Sequence, residues 1–413
     1  MPYKRIPGTK DILSEEALLW EEIEALARNI FHLYNYQPIR TPILEDAALF
    51  NRSLGQTSEI VQKQMFLIKN EEDSYALRPE ATASVVRAYL ENNLDKTSGF
   101  TKFYYMGPMF RFERPQKGRQ RQFHHIGCEA IGSGQATLDV EIIALVDHLL
   151  KAFSVSGYTI KINSLGCDKD KTALAEFLRK RLKEKKDGLC EDCLRRLQTN
   201  VLRILDCKKA GCREVVNNLD LQEAKICPEC KEHFNQVCAG LKDAGIVYEV
   251  SPHLVRGLDY YTRTVFEIAH GELGAQDALG AGGRYDTLVK ELGGPDIGAI
   301  GFAFGVERLL LVQNAQRQTQ NAGLVYLITL GEEAKKEGIK ILARLRSHNI
   351  ASDTDYENKT LKGAMRRAND LKAGVVLILG EDELKKNTIV IKNMLSGQQK
   401  EVTREALLGE LKV

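Results

Sequence analysis

The sequence predicts an α/β protein of the α+β kind: a sheet domain built on a long hairpin, interrupted by a helical module and followed by a smaller α/β domain. Three observations predict it. The runs FYYMGPMFRF and FHHIGCEAIG flank a charged stretch without apolar residues, which is a strand, a long loop and a returning strand. A Lys/Arg-dense region carries Leu174, Phe177, Leu178 and Leu182 at helical spacing. Beyond residue 322, VYLITL, VVLILG and TIVIKN alternate with helical stretches as β-α-β-α-β-β.

In chain order, Ser14 and the two glutamates after it signal an N-cap for a helix. Its apolar positions Leu18, Leu19, Ile23, Leu26, Ile30, Phe31 and Tyr34 recur at helical spacing. The turn Pro79-Glu80-Ala81-Thr82 opens a second helix. The hairpin follows, then a helix over 137–153 and a strand over 158–163. Residues 168–245 form the inserted module; between 169 and 213 it holds 14 Lys and Arg against 7 Asp and Glu, a local +7. After it come strands at 247–250 and 263–269, a glycine-rich turn at 280–283 and a helix within 304–313. The polar run QNAQRQTQN at 313–321 reads as a linker. The final domain then takes a helix over 332–347, a short strand near 350 and a helix over 360–372. The division is thus 1–167 with 246–318, then 168–245 as the insertion, and 323–413.

Of 413 residues, 43% are hydrophobic and 28% charged, with a formal net charge of +2. That composition excludes disordered and collagenous chains, and it leaves any nucleic-acid footprint to local clusters. No run of about 18 apolar residues occurs, and MPYKRIPGTKDILSEE lacks the apolar core of a signal peptide, so a cytoplasmic protein without membrane contact is expected. Six of nine cysteines fall between Cys190 and Cys230. Cys190-x2-Cys193 and Cys227-x2-Cys230 are paired knuckles of the sort that close a tetrahedral structural zinc site, with Cys207 and Cys212 as further candidate ligands. Reduced thiols are the alternative; Cys128 and Cys167 read as buried structural thiols.

The chain has no phosphate-binding P-loop, no nucleophile elbow and no H-E-x-x-H pair. Three other constellations carry chemistry. Within eleven residues the hairpin gathers Arg111, Arg114, Lys117, Arg119 and Arg121 against the single acid Glu113. Strand alternation puts Phe123, His125 and Glu129 on one face, a surface able to stack a purine and hold a phosphate. LVRGLDYYTRTVFE brings Arg256 beside Tyr260 and Tyr261, which face opposite ways on an extended chain. In LRPEATASVVRA, Glu80 is a possible acceptor for an ammonium group. Taken singly, a solvated loop and a helix cap are the preferred explanations of the first and third, and a core Tyr pair explains the second equally well.

Together they resemble a known family. GPMFRFER with its basic loop and RQFHHIGCE resembles motif 2 of class II aminoacyl-tRNA synthetases, GAIGFAFGVERLLL resembles motif 3, and RTPILEDAALF resembles motif 1. LVRGLDYYTRTVFE is similar to the histidine-specific signature of the histidyl-tRNA synthetase family, bacterial type, and the likeness runs over almost the whole chain. It implies a class II antiparallel-sheet catalytic domain with a helical insertion, a C-terminal α/β anticodon-binding domain, and histidine–tRNA ligase activity in a homodimer. ATP with Mg²⁺, L-histidine and histidine tRNA are the implied substrates and partners.

Residue by residue, the resemblance implies Arg111 and Arg256 as catalytic cations. Arg111, Glu113, Phe123 and Arg308 would bind ATP; Glu80, Ala81, Thr82, Arg111, His125, Glu129, Arg256, Tyr260, Tyr261 and Tyr285 would bind histidine. Arg114, Gln116 and Arg119 would meet the tRNA acceptor end, and the +7 stretch would lie over the acceptor arm. His125 replaces a common Gln, and its imidazole is expected to change charge near pH 6.5. Ala81 replaces a common Gly, which requires a negative φ there. A histidine-sensing regulatory subunit of ATP phosphoribosyltransferase shares the fold, but it is expected to lose one of these motifs.

Overall fold

The first amphipathic stretch folds as a helix, Ser14–Leu33, in a computed structural model that describes residues 3–56, 58–70, 72–221, 226–274, 277–313 and 323–411. Leu13 holds the N-cap position, and Ser14 is already helical. Glu15 and Glu16 place negative charge in the first turn, where the helix dipole favours it. Trp20, Ile23, Ala27, Ile30 and Phe31 form the buried face.

The chain divides into two compact units, residues 1–315 and 316–413. The strands of the first are β1 (Gln37–Pro38), β2 (Leu44–Asp46), β3 (Phe66–Lys69), β4 (Ser74–Leu77), β5 (Thr101–Phe110), β6 (Gln122–Ile131), β7 (Tyr158–Ser164), β8 (Glu249–Val250), β9 (Thr262–His270), β10 (Ala278–Arg284) and β11 (Ala299–Gly305). Eight make one sheet in the order β1-β5-β6-β11-β10-β9-β7-β8, antiparallel except for its two edge pairs. The remaining three form a small sheet, β2-β4-β3, that the sequence reading did not anticipate.

The hairpin β5–β6 pairs from Thr101 opposite Ile131 to Phe110 opposite Gln122. Because side chains alternate, Ile126, Cys128 and Ala130 enter a core under the helices Ser14–Leu33 and Ala136–Ala152. Phe123, His125 and Glu129 turn to the other face. Residues 280–283 are not a turn: they lie inside β10, between β9 and β11. A side chain at Gly280 or Gly282 would strike Phe304 or Phe266, so the glycines are there to let strands and rings approach. Arg284 ends this strand fully buried, donating to both Asp139 oxygens and to the Ser133 and Gln135 carbonyls.

Helices Asp168–Lys183, Glu191–Gln198, Ala210–Asn217 and Pro228–Asp243 occupy the stretch read as an insertion. The polar run read as a linker lies, beyond Gln313, outside the described residues.

The second unit has β12 (Val325–Thr329), β13 (Ser352–Thr354), β14 (Val375–Leu379), β15 (Thr388–Asn393) and β16 (Gln399–Thr403) in the order β13-β12-β14-β15-β16. Its first three strands are parallel, with β15 and β16 added antiparallel. The expected helices appear as Glu332–Ser347 and Leu361–Asp370; the Thr360 hydroxyl caps the second by accepting from Gly363 N at 3.3 Å. Strand β16, largely exposed and polar, carries no apolar alternation and was not foreseen. Among the described residues no helix is long and apolar enough to cross a membrane.

Candidate active site

A cavity of about 330 Å³ opens on the face of the large sheet that carries Phe123, His125 and Glu129. Glu129 lies at its heart, almost wholly buried. Its Oε1 accepts from the Thr82 hydroxyl at 2.7 Å and the Tyr105 hydroxyl at 3.1 Å, and its Oε2 from the Tyr285 hydroxyl at 2.6 Å. Burial nevertheless outweighs these donors and pushes the carboxyl up to about 8. Gly301 on β11 makes room for it, since a methyl at 301 would overlap the Glu129 carboxylate. Gly301→Ala is accordingly expected to destabilise the protein by about 1–3 kcal/mol, the range for overpacking, and to weaken histidine binding; thermal melts and calorimetry measure both.

Glu80, buried at the opening of helix Thr82–Glu91, accepts from the backbone N–H of Thr82 at 2.7 Å and of Ala83 at 3.0 Å. From the position before the N-cap Ala81 it thus holds the first N–H groups of the helix, the structural role its sequence context allowed, and it also lines the cavity. Burial raises its carboxyl above the ordinary range. Ala81 meets the backbone requirement with φ −107°.

His125 is also in the lining, with its buried Nδ1 lacking a partner among the described residues. Here the structure corrects the sequence reading. Burial, and then the Arg111 guanidinium, lower the imidazole to about 3, so it is neutral through the physiological range. His125→Gln is expected to leave the pH profile of activity between about pH 5.5 and 7.5 unchanged. An inflection in the parent enzyme that this substitution removes would show the opposite.

Six cations line the cavity, Arg203 and Lys208 from the insertion together with Arg111, Arg119, Arg256 and Arg308. Arg111 donates from Nε to the Pro79 carbonyl at 2.9 Å and stands 5.3 Å from the Phe123 ring centre. Arg256 is ion-paired with Glu267, while its buried Nε has no partner among the described residues. Arg308 reaches from the helix after β11 to the Gly118 carbonyl at 3.0 Å and to that of Ala278. Arg119 pairs with Glu113 at 3.1 Å, and both line the cavity. Arg114 and Gln116 do not: they are exposed on the hairpin loop.

Tyr260 and Tyr261 do not face apart as extended-chain alternation predicted. The segment turns before β9 begins, their ring centres are 4.8 Å apart, and both line the cavity with Tyr285. Several lining residues escaped the sequence reading. Tyr105 depends on the hairpin register that sets it opposite Gly127, and Arg203, Asp206 and Lys208 arrive from the insertion without a local signal.

The cysteines separate where one shared site was expected. Cys190, Cys193, Cys207 and Cys212 form one cluster; Cys227 and Cys230 join Cys167 and Asp170 in another. Cys167 is half-buried and not an isolated core thiol, while Cys128 is buried as expected.

Comparison with known proteins agrees with this geometry. A family model described as histidyl-tRNA synthetase matches residues 8–309, and one described as an anticodon binding domain matches residues 324–413. A histidine–tRNA ligase from Thermodesulfovibrio yellowstonii is 45% identical over 410 residues, 99% of this chain and 98% of that protein. Another from Geobacter sulfurreducens is 45% identical over 96% of each. The crystal structure of apo Staphylococcus aureus histidyl-tRNA synthetase superposes with a TM-score of 0.82 at 34% identity, covering 100% of both chains. Antiparallel sheet, cavity and C-terminal unit together are those of a class II aminoacyl-tRNA synthetase, an aminoacyl-tRNA ligase. Within that class the chain belongs to the histidyl-tRNA synthetase family.

Proposed function

We propose that this chain activates L-histidine with ATP, releases pyrophosphate, and transfers the histidyl group to the 3′ end of histidine tRNA. The observation that carries the reading is Glu129, a buried carboxyl at the centre of a cavity ringed by Arg111, Arg256 and Arg308. A carboxylate there accepts an imidazole N–H and rejects side chains of similar bulk that lack one.

In this reading Tyr261 joins Glu129 at the imidazole, and Tyr260 and Tyr285 close the sides of the pocket. Thr82 and Glu80, with His125 as a neutral polar group, receive the α-amino end. Phe123 stacks the adenine, Arg308 covers its opposite face, and Arg111 holds the α-phosphate. The histidine carboxylate attacks the α-phosphorus and pyrophosphate departs; Arg111 and Arg256 offset the charge that builds on the α-phosphoryl oxygens. The terminal ribose hydroxyl of the tRNA then attacks the acyl carbon and AMP leaves. Glu113 and Asp277 put carboxylates, the hard oxygen donors Mg²⁺ prefers, on the cavity lining. Mg²⁺ bound with ATP would neutralise the outer phosphates.

Exposed Arg114 and Gln116, with Arg119 behind them, suit contact with the acceptor end. Residues 323–413 are read as the anticodon-binding domain, with 16 Lys and Arg against 13 Asp and Glu, and residues 168–245 as an insertion over the acceptor arm. The exposed Ile43, Leu44, Leu67 and Ile68 on and beside the small sheet support a homodimer, and a cytoplasmic setting follows from the reaction. The regulatory-subunit reading is disfavoured by the intact cation ring and by ligase relatives 45% identical over nearly the whole chain. Histidine-dependent exchange of labelled pyrophosphate into ATP, with other amino acids as controls, followed by charging of histidine tRNA, tests the proposal. Exchange with no amino acid would overturn it.

A further inference from the structure

Eight side chains in the 168–245 region and just before it converge in two groups that the catalytic reading does not use. Cys190, Cys193, Cys207 and Cys212 bring four sulfurs together, and Cys167, Cys227, Cys230 and Asp170 bring three sulfurs and a carboxylate. In each group the ligand atoms all lie within 4.8 Å of one another. Four sulfurs about 2.3 Å from one ion at tetrahedral angles are about 3.8 Å apart, so each group is already close to the dimensions of a mononuclear site. An iron–sulfur cubane spreads its cysteines more widely. None of the nine cysteines is in a disulfide.

The local backbone has the matching form. The Cys190 N–H donates to the Cys212 sulfur at 3.1 Å, and the Cys230 N–H to the Cys227 sulfur at 3.5 Å. Asp170 accepts from the Cys227 N–H at 3.0 Å and from the Cys167 N–H at 3.2 Å, so the carboxylate is already oriented by the strand of chain that would share its ion. Cys193 and Cys230 are nearly inaccessible. We propose that this chain binds two structural zinc ions, one at Cys190, Cys193, Cys207 and Cys212 and a second at Cys167, Asp170, Cys227 and Cys230. Thiolate-dominated, tetrahedral sets of this size select zinc over harder divalent ions.

The two ions do different work. The second joins the start of helix Asp168–Lys183, where the chain leaves β7, to the start of helix Pro228–Asp243, the helix by which the insertion runs back toward the sheet. The first closes the segment from Cys190 to Cys212. Out of that segment Asn200 Nδ2 donates to Asp259 at 2.8 Å, Arg203 Nη1 donates to the Gly257 carbonyl at 2.9 Å, and Arg196 pairs with Glu59 at 2.6 Å. The first two hold the loop that carries Arg256, and the third ties the insertion to the segment before the helix-like turn Ile60–Gln64. The first ion is thus a positioning element for the cavity and touches no substrate.

The test uses the full chain purified under reducing conditions without chelator. Elemental analysis is expected to give two zinc ions per chain, with Cys193→Ser and Cys230→Ser each retaining one. Should either variant fail to fold, titrating metal-stripped wild-type chain with cobalt alone decides the matter. Two equivalents are then taken up with the visible spectrum of tetrahedral cobalt–thiolate, the two sites differing in thiolate absorption as four ligands differ from three. One ion or none after zinc reloading, iron with acid-labile sulfide, or both ions lost on a single substitution in a folded chain would overturn the proposal. Because metal content is read without substrate, these outcomes are independent of the ligase assignment. Loss of the first ion is also expected to lower pyrophosphate exchange at least tenfold, whereas loss of the second acts chiefly on the melting temperature.

Discussion

Arg256→Ala is expected to reduce histidine-dependent pyrophosphate exchange by a factor of about 100 to 1000, the usual effect of removing one preorganised electrostatic group from an active site. Two features of the side chain set the size. Its guanidinium is held against Glu267 on the cavity lining, and its Nε is buried without a partner among the described residues, so the group is fixed in place before any ligand arrives. Such a group needs no reorganisation as charge develops on the α-phosphoryl oxygens. Its removal has a second consequence, because Glu267 is then an unneutralised, largely buried carboxylate on the lining, which repels the phosphates of ATP.

Single-turnover adenylation in Arg256→Ala and in Arg256→Ala/Glu267→Gln separates the two effects. The double variant is expected to recover the part lost to repulsion, seen as tighter ATP binding, while the chemical step stays slow. Full recovery of the chemical step would remove Arg256 from the catalytic role. Arg256→Lys is expected to fall between, since an ammonium supplies charge without the planar fork that can meet Glu267 and a phosphate at once.

The hairpin was legible in the sequence because a period of two decides which face each residue takes. Knowing only that FHHIGCEAIG is a strand places Phe123, His125 and Glu129 together, and the structure keeps them so. Register was less accessible. Tyr105 reaches Glu129 only because Gly127 stands opposite it, leaving the space its ring requires. Glycine misled at 280–283, where local propensity favours a turn and tertiary crowding by Phe266, Phe304 and the Gly301 carbonyl demands a strand with glycine at 280 and 282. Tyr260 and Tyr261 failed for a related reason, since alternation holds only on extended chain and theirs turns. The cysteine spacings pointed to metal chemistry. Which pair joins which other ligands depends on how helices far apart in sequence pack, and no spacing rule contains that.

Glu129→Gln is the second large effect, and it has two readouts of different origin. In the empty protein the carboxyl is raised from 4.5 to about 8 by burial. An acid whose folded pKa exceeds its unfolded value binds more protons when folded, so its contribution to stability is complete below the ordinary carboxyl range and is lost as pH rises through about 8. The amide carries no such proton. The melting temperature of the parent protein is therefore expected to fall relative to Glu129→Gln between about pH 5 and 9, and parallel curves would contradict the raised pKa. With histidine the order reverses. An imidazole N–H offered to Glu129 favours the ionised form, so binding near pH 7 should expel a proton that the variant does not hold. Calorimetry in two buffers of different ionisation enthalpy measures that difference. Losing one hydrogen bond to a charged acceptor, worth about 1.5–3 kcal/mol, is expected to raise the KM for histidine about 10- to 100-fold. The Thr82, Tyr105 and Tyr285 hydroxyls that hold the carboxylate are also left to share an amide whose nitrogen cannot accept from any of them. A variant that binds histidine as well as the parent, without the change in proton release, would move imidazole recognition away from Glu129 to another group of the cavity.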